Sequence, residues 1–288
     1  MMRKIRVGGV PEHFNLPWHL AEERGAFDSA DIDFEWIFYK GGTGAMTKAL
    51  RDGEVDMCIL LTEGIIKDIF NGNPSTIISK YIKTPLLWGI HTGADNSLSD
   101  HKDIYDKQYA ISRIGSGSHL MAQVDAFYQG KELDENQFSI INTLDGALTS
   151  LAKNETDVFY WEKFTTKPYV DRGALKRIGE YPTPWPCFVI AATNSIISSD
   201  PQLIRDTLAV IFETNRSFMS DPSTVQLVSE RYAQKVADVA EWFTSTEWAV
   251  KDTIEKEAID KVVYTLKKAN VIENEKSLPY DRLVKQLF

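Results

Sequence analysis

The run Ile32-Asp33-Phe34-Glu35-Trp36-Ile37-Phe38-Tyr39 leads into Gly41-Gly42-Thr43-Gly44, an amphipathic stretch closing at Gly53, and then Asp56-Met57-Cys58-Ile59-Leu60-Leu61. Its reading decides the fold class: a strand enters a glycine-rich turn, the turn opens a helix, and the helix returns to a second strand. The same order stands before it, with Ile5–Val10 as strand, a turn at Pro11–Asn15 and a helix from Leu16 to about Gly25. It recurs after it, with Asp56–Leu61 as strand, Thr62-Glu63-Gly64 as turn, and a helix ending at Asn71-Gly72-Asn73. In that helix Ile65, Ile66, Ile69 and Phe70 share one face at helical spacing. Ile77–His91 reads as one extended segment interrupted at Pro85.

A second series follows. Tyr109–Ile114 is strand-like, Gly115-Ser116-Gly117-Ser118 is the turn, and His119–Gly130 the helix. Phe138–Asn142 precedes Asp145, an N-cap candidate for Gly146–Lys153, and Asp157–Trp161 precedes a partly helical Glu162–Asp171. Strands alternating with helices predict mainly parallel sheets flanked by helices. The units differ too much from one another for a solenoid. Beyond a buried-looking strand at Cys187–Ala192 the tail is nearly all helix. Asp200-Pro201 and Asp221-Pro222 each read as an N-cap with proline in the first helical position, and Thr244-x-x-Glu247 as a capping box. These tail helices need a sheet to cover, and the first sheet is the nearest. The expected architecture is therefore α/β and two-lobed, with residues 1–87 plus 190–288 as a discontinuous first lobe and 88–189 as an inserted second. Two inter-lobe crossovers are expected, near Leu86–Ile90 and Phe188–Ala192.

The 288 residues suffice for one large or two ordinary domains and a sizeable core. A net charge of −9 disfavours nucleic acid and anionic membrane surfaces as partners. No apolar run approaches a membrane span. Cys58 and Cys187 form no disulfide framework. The five histidines show no ligand spacing, so neither a metal site nor a cofactor is expected. Gly41–Gly44 lacks the Gly-Lys-[Ser/Thr] of a phosphate loop, and Gly115-Ser116-Gly117 lacks the third glycine of the dinucleotide fingerprint.

Val7-Gly8-Gly9-Val10-Pro11, with a helix ending in Glu23-Arg24-Gly25-Ala26-Phe27, resembles the opening of type II periplasmic binding proteins. The narrower likeness is to the branch that binds nitrate, sulfonates, taurine and thiamine precursors. The most telling run is Leu50-Arg51-Asp52-Gly53-Glu54-Val55-Asp56, which recurs weakly as Leu151-Ala152-Lys153-Asn154-Glu155-Thr156-Asp157. The ordered set covers essentially the whole chain. The resemblance implies a small-molecule binding protein, with an ABC-transporter permease as partner where the protein is exported. No signal peptide opens the chain, which implies a cytoplasmic location as it stands and a periplasmic one if a leader has been removed. In this respect it is similar to the signal-less members of the family. The fungal thiamine-pyrimidine synthases share the fold, but their cysteine-rich iron-binding run is missing here.

In open α/β sheets ligands bind beyond the carboxyl ends of the strands. Two lobes facing each other would line a cleft with such turns. Gly42, Thr43 and Gly44 let backbone approach a ligand, and Ser116, Gly117 and Ser118 offer hydroxyls at a helix start. Glu12, His13 and Asn15 follow the first strand, Thr62 and Glu63 the third. Trp161 and Glu162 stand at the equivalent point in the second half, His119 falls on the turn after Ser118, and Trp185, before the return strand, would add an aromatic wall. The alternative is that glycine and serine are turn formers and the aromatics core residues. Helix starts favour an anionic group, while Glu12, Glu63 and Glu162 favour a donor-rich or cationic one. Together they select a zwitterion or an aminated heteroaromatic, taken up by hinge closure of a monomer. The alternative function is an intracellular enzyme of vitamin or cofactor metabolism, with His13 and Glu12 or Glu63 as an acid–base pair.

Overall fold

A computed structural model describes residues 2–251 and 253–287. The chain divides into two units. The first comprises Met1–Thr84, Pro186–Asp260 and Ser277–Phe288, and the second Pro85–Trp185 and Lys261–Lys276.

The first unit opens with β1 (Arg3–Gly9), α1 (Leu16–Glu23), β2 (Ile32–Phe38), α2 (Gly42–Asp52), β3 (Met57–Leu61), α3 (Thr62–Phe70) and β4 (Ser75–Ile82). The expected long extended segment is thus two strands, because the chain leaves the sheet after Ile82. The second unit follows with β5 (Leu87–Gly93), β6 (Tyr109–Ile111), α4 (Gly117–Tyr128), β7 (Phe138–Ile140), α5 (Leu144–Ala152), β8 (Val158–Glu162), α6 (Lys163–Asp171) and β9 (Leu175–Pro182). The chain then returns through β10 (Phe188–Thr193) to α7 (Asn194–Ser199), α8 (Pro201–Ser220), α9 (Thr224–Tyr232), α10 (Val236–Thr244), α11 (Lys256–Lys268) and α12 (Tyr280–Leu283).

The two five-stranded sheets have the same plan, β2-β1-β3-β10-β4 and β7-β6-β8-β5-β9. In the first, β1 is parallel to β2 and β3, while β10 runs antiparallel to β3 and β4. In the second, β6 is parallel to β7 and β8, while β5 runs antiparallel to β8 and β9. Each reversed strand is the first one laid down after the chain enters its unit. Phe188 lies opposite both Leu61 and Ile82, so the start of β10 shares an edge with the carboxyl ends of its neighbours.

The repeated run ending in Asp56 and Asp157 acquires a physical meaning here. Asp56 Oδ2 accepts the Arg6 amide at 2.9 Å and Arg6 Nε at 3.0 Å, and Oδ1 accepts Nη2 at 2.8 Å. Asp157 Oδ2 accepts the Gln108 amide at 3.1 Å, beside the start of β6. In each unit, the aspartate that leads into the third strand of the repeat pins the first.

Three local expectations fail for identifiable reasons. Thr143, not Asp145, caps α5, accepting the Gly146 amide at 3.1 Å. Asp221 ends α8 and holds Ser223 in a turn, so α9 starts later, at Thr224. Thr244 closes α10 by donating back to the Ala240 carbonyl, and Glu247 pairs with Lys83, so no capping box forms. Lys261–Lys276 also group with the second unit rather than with the rest of 190–288. There the Tyr128 hydroxyl meets Thr265 Oγ1 at 3.1 Å.

Gly8 and Gly9 sit inside β1 because aromatic rings lie against both. A Cβ on Gly8 would meet the Tyr39 ring at 2.8 Å, and one on Gly9 would overlap the Trp36 indole. Gly9→Ala is expected to lower stability by about 1–3 kcal/mol, as overpacking does. Urea denaturation of the purified chain checks it, and an unchanged midpoint contradicts the packing described.

Candidate functional site

The first unit's polar set lies beyond the carboxyl ends of β1, β2 and β3. After β1, Asn15 Nδ2 donates to the Val10 carbonyl at 2.8 Å, which folds the turn back on the strand. His13 is 2% exposed and packs edge-on to Trp242 at 4.2 Å and against Phe14 at 4.5 Å. Burial pushes its imidazole down to about 3. A base held that far below neutrality is poorly matched to proton transfer near pH 7. The structure therefore places His13 in an aromatic core, and the acid–base pairing considered from sequence finds no support in its surroundings.

After β2, Gly42 adopts φ +64° and so admits the reversal that starts α2. Thr43 Oγ1 accepts the Leu61 amide at 3.2 Å, tying the start of α2 to the end of β3. Its methyl fills the space a Cβ on Gly64 would need, so α2 and α3 begin in close contact. Gly44 lies in the first turn, its carbonyl taken by Thr47 Oγ1 at 3.1 Å. Thr62 Oγ1 donates to the carbonyls of Pro186 at 2.6 Å and Cys187 at 3.1 Å. Thr62 is thus a seam between β3 and the start of β10. Glu63 is fully buried in the first turn of α3, where the helix's positive end favours a carboxylate. Glu12 is the N-cap of the short 3-10 turn His13–Asn15, without a side-chain cap bond.

The second unit's set lies beyond β6, β8 and β9. Gly115, at φ +78°, turns the chain into α4. Ser116 is the N-cap of α4, and its hydroxyl meets that of Ser118 at 3.0 Å. Ser118 Oγ accepts the Ser112 amide at 3.1 Å, and His119 Nδ1 accepts the Gly115 amide at 3.0 Å. Gly117 is the first residue of the helix. Glu162 is committed to capping α6: Oε1 accepts the Phe164 amide at 3.0 Å, and Oε2 accepts the Thr165 amide at 2.6 Å and hydroxyl at 2.7 Å. Burial raises its carboxyl above the usual range, and those donors pull it back. Trp161 stacks on Phe159 at 5.2 Å and packs against the cluster of Ala147, Leu151 and Leu175. Trp185 is buried at the end of this unit.

Two cations in this second set were overlooked at the sequence level. Arg113 lies just beyond β6, half-buried, and burial lowers its guanidinium. Lys163 follows Glu162 directly and is 9% exposed. Its ammonium lies 3.1 Å from Glu180 Oε1 and 5.1 Å from the centre of the Phe164 ring. A basic residue directly after a strand was the available signal.

Elsewhere Cys58 and Cys187 are free and buried. Asn215-Arg216-Ser217 has the pattern of an N-glycosylation acceptor, but Asn215 is fully buried with Nδ2 on the Ala249 carbonyl at 2.8 Å and presents no acceptor amide at the surface. Among the described residues, no cluster of three His, Cys, Asp or Glu is placed to hold a metal ion. No helix there is long and apolar enough to cross a membrane.

The depressed His13 value has a pH consequence. The unfolded chain binds this proton near pH 6.5 and the folded chain only near 3. Stability due to neutral His13 is therefore full above about 6.5 and is lost as pH falls toward 3. His13→Phe should flatten this part of the acid limb in denaturation curves. Superimposable pH profiles of the two proteins contradict the assignment.

Over residues 88–181 the chain matches the model of the Ca3427-like PBP family. No curated protein matches it. Among solved structures it is similar to the Candida albicans CA3427 gene product, described as defining a new family with the generic periplasmic binding protein fold. That likeness is 27% identity at a TM-score of 0.91, over 98% of this chain and 96% of that one. The alkanesulfonate-binding protein SsuA of Xanthomonas axonopodis pv. citri, bound to MOPS, is 11% identical with a TM-score of 0.79, over 98% of both chains. The periplasmic aliphatic sulphonate binding protein SsuA of Escherichia coli is 12% identical with a TM-score of 0.74, over 99% of this chain and 92% of that one. The chain thus has the type II periplasmic-binding-protein fold, and its second sheet, β5 to β9, resembles the Ca3427-like proteins that share it.

Proposed function

We propose that this protein binds a small zwitterionic metabolite, or an aminated heteroaromatic bearing an acidic group, by closure of its two units over the molecule. One observation carries the reading: the polar sets of the two units differ in charge character. The first unit places Glu12 and buried Glu63 beyond its strands. The second places Arg113 there and Lys163 in its ion pair with Glu180, together with the amide-rich start of α4 at Ser116–Ser118. Its own carboxylate, Glu162, is engaged by α6. A ligand with an acidic end toward the second set and an amine toward the first satisfies both. Of Glu12, Glu63 and Glu162, which the sequence offers to a cationic group, Glu162 caps α6, and the other two lie in the first unit, which makes room for a sulfonate or carboxylate on the ligand at the second.

The mechanism needs no covalent step. A ligand touching both sets binds the closed arrangement better than the open one and so shifts the population. The chain passes between the units at Thr84–Pro85 and Trp185–Pro186 and, beyond the two crossovers expected from sequence, at Asp260–Lys261 and Lys276–Ser277; these passages would serve as the hinge. The likeness to sulfonate-binding proteins supports delivery of the bound molecule to an ABC-type permease.

Isothermal titration with matched pairs tests this: taurine against ethanesulfonate, and β-alanine against propionate. The amine-bearing member of at least one pair should bind about tenfold or more tightly, a difference of about 1.4 kcal/mol. Glu63→Gln should erase that preference, and Arg113→Gln should weaken both members. Equal or tighter binding of the amine-free members, or binding of none, contradicts the proposal.

A further inference from the structure

We infer that Asp125, in the interior of the second unit, is a proton-binding lock: protonation of its carboxyl tightens the packing of α4 on β8, and ionisation loosens it. This inference does not depend on the ligand reading. Asp125 lies in the last turns of α4 and is fully buried. Its Oδ2 accepts the Tyr160 hydroxyl from β8 at 2.5 Å and the Tyr105 hydroxyl at 3.3 Å. Its Oδ1 has no hydrogen-bond partner. Among the described residues no lysine or arginine pairs with it. The groups facing it are Tyr105 and His101 from the segment before β6, Tyr109 from β6, Tyr160 from β8, Tyr181 from β9 and Gln129 one turn along the chain. The tyrosines are held neutral, their hydroxyls pushed up by burial. His101 is the basic group whose field reaches the carboxyl.

A buried carboxylate with one oxygen unsatisfied and no cation beside it is costly, and protonation removes the cost. Burial accordingly raises the Asp125 carboxyl above its ordinary value of 3.8, with the Tyr160 hydroxyl, the field of His101, the Tyr105 hydroxyl and the Gln129 side chain opposing. The sign follows. Between 3.8 and the raised value the folded chain holds a proton that the unfolded chain has released. Stability from this group therefore falls as pH rises through that window. His13 and His91, pushed down to about 3 and about 4, act the opposite way on acidification. Only a difference between variants isolates Asp125. The lock also bears on the second polar set, since α4 begins at Gly117 and Tyr160 directly precedes Trp161 and Glu162.

The test is denaturant unfolding of the full chain and its Asp125→Asn variant from about pH 4 to about pH 8, with infrared spectra over the same range. The variant's stability relative to the parent should be most favourable at neutral pH and decline as pH falls. The parent should show a carboxylic-acid carbonyl band persisting above the ordinary aspartate range, and the variant should lack it. Tyr160→Phe, which keeps the carboxyl but removes its short hydrogen bond, should carry that band to higher pH and keeps the test open if the asparagine variant fails to fold. A pH-independent difference between parent and Asp125→Asn, or a band unmoved by Tyr160→Phe, overturns the inference.

Discussion

The antiparallel insertion of one returning strand into each sheet is the constraint on which the other features rest. β10 enters between β3 and β4, and every residue of it is buried, with Val189 and Ile190 almost wholly removed from water. Each such apolar side chain contributes about 1.5–3 kcal/mol. The register Phe188 opposite Leu61 and Ile82 then fixes where the chain must re-enter the first unit. Thr62 locks the point, its amide on the Cys187 carbonyl at 3.0 Å and its hydroxyl on Pro186 and Cys187. β5 repeats the device between β8 and β9, with Trp88 opposite Glu162 and Tyr181. Because both reversed strands start where their neighbours end, each unit gathers four strand ends, a strand start and several helix starts at one edge.

That edge is crowded with polar groups whose first duty is structural. A helix start leaves amides without intrahelical partners, and in a buried setting side chains must supply them. Glu162 does so for α6, and Thr43 accepts the amide of Leu61, the N-cap of α3; Ser118 and His119 accept the Ser112 and Gly115 amides just before α4, and Thr62 donates to the Pro186 and Cys187 carbonyls. The most strongly charged residues at these strand ends are Glu12 and Glu63 in one unit and Arg113 and Lys163 in the other, with Lys163 paired to Glu180. Burial sharpens Glu63 and Lys163, since a charge held in a low-dielectric setting acts more strongly on its surroundings than one in water.

Much of the architecture was legible in the residues. Strand, small-residue turn and amphipathic helix repeat with clear periodicity in both halves, and the recurring aspartate before the third strand marks the same joint twice. What escaped reading has particular causes. β9 is Leu175-Lys176-Arg177-Ile178-Gly179-Glu180-Tyr181-Pro182, an edge strand whose charges hide its alternation. The grouping of Lys261–Lys276 with the second unit depends on a tertiary contact at Thr265, which no local pattern announces. His13 and Glu162 were read correctly as lying at strand ends. Whether such a side chain caps a helix, fills a core or faces a ligand is decided by neighbours distant in sequence, such as Trp242 for His13.

We propose that one small molecule engages the polar sets of both units at once. Hydrogen–deuterium exchange of the chain with and without the tightest amine-bearing ligand tests it most directly. Exchange should slow together at the amides of residues 42–44 and 62–64 in the first unit and of residues 116–119 in the second. Protection confined to one unit, or spread over surfaces away from these strand ends, would contradict it.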